Sequence, residues 1–337
     1  MSLVSQLIGD LSAEGFVESQ GSFSLDVRAA QQKLAQFSLA DPYQWVLKMM
    51  QAATLLDCKQ VSVSCQGGEL GFRWEGMRVS CDEFSQCFQA LILGTPKSLR
   101  ERGLGHLAQA LQILKRRSFL LRAAQPENCF AVQNEQLLTR PTDPHWQGLP
   151  MVTLVLLRNW SWLQREWPEV EWLRRRAYCS PTRLEFDLQP FPRKPQPPRS
   201  RSLFSSVRHG QMLVLEPSSG RSGYSRQKPV FESPGQSVRL YASDGQGQNQ
   251  RELRRWDFGG EVEGLLATLE PRQKQGRLQV WLDGVLSEPV TVPDVSWEAI
   301  LASEGFTCDL SGLRLVENDW LRQRVQGLAQ LASYLGR

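Results

Sequence analysis

Chemistry-bearing motifs are scarce in this chain. Its three histidines, His106, His145 and His209, fall in no recognisable ligand spacing, which argues against a metal site. Seven cysteines are an odd number and form no C-x-x-C pair, so neither a zinc knuckle nor a disulfide framework is indicated, and most of them read as buried thiols. A G-x-S-x-G elbow and a P-loop are both missing, which removes nucleophile-elbow hydrolysis and Walker-type phosphate binding. No run approaches the roughly 18 apolar residues of a membrane span, and the opening MSLVSQLIGDLSAEGF has no basic segment ahead of an apolar stretch. A cytoplasmic protein without a membrane partner is therefore expected. Lys and Arg (39) nearly balance Asp and Glu (35), so the net charge of +4 does not by itself mark a nucleic-acid binder. The chain has no internal repeat.

What is present fits two globular domains. The length of 337 residues exceeds one typical domain, and 41% hydrophobic with 22% charged residues is ordinary for a globular protein. Ala30, Leu34 and Phe37 predict a helix over 27–37. Asp41-Pro42 predicts the start of another in LADPYQWVLKMMQAATLL, because proline lacks the N–H that a first helical turn leaves unpaired. The alternation in KQVSVSCQ, then GELGFRWEG after Gly67-Gly68, predicts a hairpin. SCDEFSQCFQALIL predicts a helix capped by Ser80 or Asp82, and RSFLLRAA, CFAVQNEQ and MVTLVLLRN predict strands.

These elements predict an α+β fold whose first domain, 1–159, is an α/β sandwich with a largely antiparallel sheet. The second domain, 160–337, begins with a tryptophan- and arginine-rich helix and a strand. A basic proline-rich loop at 192–202 follows, then further strands and a terminal helix carrying Leu321, Val325, Leu328, Ala332 and Leu335 on one face.

The order of WVLKMMQAA, a hairpin ending near Gly76, and GLGHL leading into a helix resembles the Bergerat-fold ATPases, the superfamily of gyrase B, the ninety-kilodalton heat-shock chaperones, histidine kinases and MutL. The resemblance covers about Phe23 to Asn159 and points to the heat-shock-chaperone-like branch. It implies a Bergerat-type sandwich followed by a smaller transducer-like domain.

In that family a glutamate on the first helix activates water and an asparagine four positions later holds magnesium, a spacing that sets both on one helical face. The corresponding positions here are Lys48 and Ala52, or Leu47 and Gln51 one residue earlier, and neither register supplies a carboxylate. Protonated lysine accepts no proton and alanine offers no lone pair to a hard cation, so the catalytic positions are degenerate. The adenine-reading aspartate falls at Trp74, beside Glu75 and Gly76. Gly103-Leu104-Gly105, followed by His106, matches the glycine turn that presents N–H groups to phosphate, with Lys97, Arg100 and Arg102 adding charge; two glycines that merely let the chain turn are an equal reading.

The resemblance thus implies a catalytically impaired pseudo-ATPase that serves as a binding or scaffold component, with a macromolecular client or partner protein and homodimers as a candidate assembly. No cofactor is expected. An alternative is a divergent ATPase that uses ATP and magnesium and draws its base from Glu75 or Glu101. Another is a nucleic-acid-binding module using Arg193, Lys194, Arg199 and Arg201, since a basic loop gathers phosphates by counterion release. Trp160, Trp162, Trp167 and Trp172, interleaved with Arg165 and Arg174 to Arg176, would give a stacking surface for nucleic acid or, as acidic Glu166, Glu169 and Glu171 favour, pack the domain junction with solvated arginines.

Overall fold

The computed structural model describes residues 41–66, 68–86, 98–114, 119–126, 128–133, 136–141, 148–157, 167–187, 189–190, 211–216, 239–244, 250–253, 264–268, 275–302, 306–309 and 311–335. The helix predicted over 27–37, Trp160, Trp162, Arg165 and the loop residues Arg193, Lys194, Arg199 and Arg201 lie outside them.

The fold is α+β, built on two sheets. Asp41 accepts from the Tyr43 N–H at 2.8 Å and so caps a 3-10 turn, Pro42–Gln44, that runs into helix α1, Trp45–Leu55. From Trp45 to Thr54 every residue of α1 is buried, so this helix is an inner element of the core.

Strands β1 (Gln60–Gln66) and β2 (Glu69–Glu75) form the expected hairpin, with Val61 opposite Trp74 and Val63 opposite Phe72. Leu70, Phe72 and Trp74 face the helices, while Glu69 and Arg73 point the other way into solvent, the period-2 signature of a half-buried strand. Trp45 meets Phe72 edge-on at 5.2 Å and Phe72 stacks on Trp74 at 5.4 Å, which anchors α1 to the sheet. A helical segment at 81–86 starts with a capping box: Ser80 Oγ accepts from Glu83 N–H and Glu83 Oε2 accepts from Ser80 N–H.

Helix α2 (Leu99–Leu114) packs beside α1. Strands β3 (Phe119–Ala124), β4 (Asn128–Gln133), β5 (Gln136–Pro141) and β6 (Met151–Leu157) extend the sheet antiparallel. Helix α3 (Pro168–Arg176) leads to β7 (Arg183–Phe186), which pairs parallel with β1, and then to β8 (Gln189–Pro190). The first sheet therefore runs β5-β4-β3-β6-β2-β1-β7-β8. It does not end at the expected boundary of residue 159, because the strand after α3 completes its ladder on β1.

The second sheet runs β11 (Gln250–Leu253), β10 (Arg239–Asp244), β9 (Gln211–Glu216), β12 (Gly264–Thr268), β16 (Trp297–Leu301), β13 (Gln275–Leu282) and β14 (Val285–Leu286), with β15 (Val290–Pro293) also paired to β13. Helix α4 (Asp319–Leu335) covers one face: Leu321 and Leu328 are buried and Val325 and Ala332 pack beside them against Leu213, Leu266 and Leu278. Among the described residues no helix is long and apolar enough to cross a membrane.

Candidate functional site

The helical period sets Lys48, Gln51 and Ala52 within one turn of α1, and all three are buried, Lys48 at 1% exposure. Ala52 belongs to the hydrophobic core. Lys48 Nζ lies 3.4 Å from His106 Nδ1, and His106 Nε2 lies 3.3 Å from Asp283 Oδ2. An ionised carboxylate only accepts hydrogen bonds, so the ring proton resides on Nε2, and Nδ1 accepts from the lysine. Arg102, one turn before His106 on α2, donates to Asp283 Oδ1 at 2.7 Å.

Asp283 comes from the second sheet. With Gly284 it forms the two-residue turn between β13 and β14, where φ is 51° at Asp283 and 102° at Gly284, and Leu282 pairs with Val285. Positive φ at both central positions is the I′ pattern that suits the twist of a tight hairpin and that Asp-Gly satisfies. The turn is pressed onto α1. A Cβ added at Gly284 would stand 2.0 Å from Thr54 Oγ1, Gln51 Nε2 donates to the Leu282 carbonyl at 3.0 Å, and a Cβ at Gly312 would come within 2.8 Å of Lys48 Nζ. Protein thus fills the space over this face of α1.

Burial sets the electrostatics. It lowers the Lys48 ammonium from its ordinary 10.5 to about 7 against the opposing pull of Asp283. Burial, with the Lys48 charge next, lowers His106 to about 4, so the imidazole is neutral near pH 7. Burial alone would raise the Asp283 carboxyl, but the hydrogen bond from His106 and the charges of His106, Arg102 and Lys48 hold it below its ordinary value. Buried Arg176 of α3 reaches the same junction and donates to the Leu286 carbonyl at 2.6 Å and the Leu313 carbonyl at 2.8 Å.

Several sequence expectations change here. Gly103-Leu104-Gly105 is no phosphate-facing turn: α2 starts four residues earlier at Leu99, after Ser98, whose Oγ accepts from the Glu101 N–H, so the glycines lie inside the helix. Gly103 is there for close packing, since a Cβ would meet Leu55 Cβ at 3.0 Å and Leu56 Cγ at 3.1 Å. Leu104 is buried at 8%, and His106 is partly buried in the cluster described above.

Trp74 is fully buried and core-facing, and Glu75 lies on the opposite face of β2, ion-paired to Arg73 at 2.8 Å, too far round the strand to serve as a base beside Lys48. Gly76 takes φ 83° where the chain leaves β2, and its N–H donates to the Pro150 carbonyl. Glu101 is an exposed residue in the first turn of α2. Trp167 packs partly buried against the core and Trp172 donates to Asp41 Oδ2 at 2.9 Å, so both are committed to packing and capping. Arg176 is buried, not solvated as expected, because its guanidinium satisfies two carbonyls at once.

The sequence reading missed Asp283 as a site residue, although Asp-Gly between WL and VL is a hairpin signal on its face. Among the described residues no group of three or more His, Cys, Asp and Glu is arranged to hold a metal ion. Compared with protein-family models the chain matches none, and it matches no curated protein.

Proposed function

We propose that the chain is a catalytically silent relative of the Bergerat-type ATPases, resembling the heat-shock-chaperone branch, that acts in the cytoplasm as a binding or scaffold component for a macromolecular partner. One observation carries this reading. The face of α1 where the resemblance places a water-activating glutamate and a magnesium ligand holds Lys48 and Ala52, and the β13–β14 turn is seated on it. Lys48 is enclosed by protein and hydrogen-bonded to His106, so substrate water does not reach its amine, and neither an amine nor the Ala52 methyl offers the oxygen ligand that magnesium takes. The chemistry left to this face is adhesion between two parts of the chain.

Phosphate release and thermal unfolding with millimolar ATP and magnesium test the proposal. The expected result is release no faster than buffer and an unchanged melting temperature. Ligand at a hundred times its dissociation constant would add about 2.7 kcal/mol to the native state. That would raise the melting temperature by several degrees, at about 2–4 °C per kcal/mol. Magnesium-dependent turnover would refute silence, and a nucleotide shift without turnover would make the protein a nucleotide sensor.

A further inference from the structure

We propose that the seat of the β13–β14 turn on α1 and α2 is an acid-released latch, closed while the Lys48–His106 pair holds at most one proton and opened as it takes up the second. This inference rests on the geometry of the junction and does not depend on the family resemblance. Four features place the turn there: the Arg102 to Asp283 ion pair at 2.7 Å, the His106 to Asp283 contact at 3.3 Å, the Gln51 to Leu282 hydrogen bond at 3.0 Å, and the fit of Gly284 against Thr54.

Every element packed on the junction brings a titratable or charged group. Helix α1 supplies Lys48, α2 supplies Arg102 and His106, the turn supplies Asp283, and α3 supplies Arg176. The segment after β16 supplies Cys308 and Asp309, and the link between β14 and β15 supplies Glu288. Of these, Lys48 and His106 are the groups whose protonation near neutral pH changes the junction.

The hydrogen-bond chain tolerates one proton and not two. With His106 neutral, Nε2–H donates to Asp283 and Nδ1 accepts from Lys48. Once His106 is protonated, Nδ1–H faces the lysine ammonium at 3.4 Å, so a donor meets a donor and two buried cations adjoin. Opening relieves this by giving both groups back to water.

The sign follows from linkage. Lys48 is at about 7 in the seated state and at its ordinary 10.5 when solvated, so the open state binds the extra proton between these values. His106, at about 4 seated and 6.5 solvated, does the same between 4 and 6.5. Asp283 is held low, so its contribution is present above its ordinary range and is lost only in stronger acid. All three groups weaken the latch as pH falls, by up to about tenfold per pH unit for each proton taken up.

Hydrogen exchange of the full chain, corrected for intrinsic rates, reads the latch directly through residues 280–287, with residues 151–157 of β6 as the reference for global unfolding. Between pH 8 and pH 5 the protection of 280–287 is expected to fall at least about tenfold and to stay well below that of β6 at every pH, where global unfolding, which frees the same two groups, makes β6 fall in parallel. In the double variant Lys48→Met with His106→Gln the fall should shrink to within about twofold. A flat wild-type profile, protection of 280–287 equal to that of β6 at every pH, or an undiminished fall in the double variant would each overturn the proposal. His106→Gln alone gives a second check, since it should remove the part of the fall below pH 6.5, and an unchanged profile there would count against the latch.

Discussion

His106 Nε2 lies 3.3 Å from Asp283 Oδ2, joining α2 to a turn 177 positions away in sequence, while the same ring meets Lys48 Nζ at 3.4 Å on its other side. One imidazole thus ties helices α1 and α2 to the β13–β14 turn of the second sheet through a buried lysine and a carboxylate. The measurable consequences lie in stability, its pH dependence, and the few positions where the two parts approach most closely.

Folding stability is expected to rise between pH 7 and 10.5. Lys48 falls from 10.5 to about 7 on folding, so in that window the unfolded chain binds more protons, and the burial penalty of the ammonium fades as pH increases. Across the window this amounts to a few kcal/mol in order of magnitude. Urea midpoints at pH 7 and 9.5 should show a gain for the wild type that is largely absent in Lys48→Met; an equal gain in both would rule Lys48 out as its source.

Gly103 and Gly105 are expected to respond to alanine with opposite signs. At Gly103 a Cβ would press on Leu55 and Leu56 at 3.0 and 3.1 Å, where α1 and α2 are closest, so Gly103→Ala should destabilise by about 1–3 kcal/mol. Nothing stands within 4 Å of a Cβ at Gly105, and there alanine should stabilise the helix by about 0.5–1 kcal/mol. Thermal melts of the two variants decide the matter, and a destabilising Gly105→Ala would contradict its placement inside α2.

Arg176→Ala should cost about 1–3 kcal/mol, because it leaves the Leu286 carbonyl buried without its arginine donor, while the Leu313 carbonyl keeps only the Glu288 N–H. Arg176→Lys should recover only part of that, since one ammonium does not reproduce the two-pronged reach of a guanidinium. Denaturant titrations of both variants measure it, and full rescue by lysine would show that charge alone matters.

Gly284→Ala is expected to unseat the β13–β14 turn. The new Cβ would overlap Thr54 Oγ1 at 2.0 Å, and φ 102° is strained for any residue with a Cβ. Hydrogen exchange should show loss of protection in 280–287, with β6 largely unaffected. Retained protection would mean the turn does not press on α1 as described.

The short-range pattern of the sequence already determined the first sheet's hairpin, the helix starts at Asp41-Pro42 and at Ser80 or Asp82, of which the structure uses Ser80, and the apolar face of α4, because alternation, capping and helical period are set by residues a few positions apart. It also determined that a lysine and an alanine occupy adjacent turns of α1, four positions apart. Tertiary structure alone decided what those residues face. A Gly-Leu-Gly stretch reads the same whether it opens a helix or lies within one, and only the packing of Gly103 against Leu55 and Leu56 distinguishes the two. Likewise β7 joined the first sheet because β1 had a free edge for parallel pairing, information that no local window contains. The Lys48, His106 and Asp283 cluster depends on closing a loop of well over a hundred residues, so its chemistry emerged from burial and proximity and left no spacing in the sequence to read.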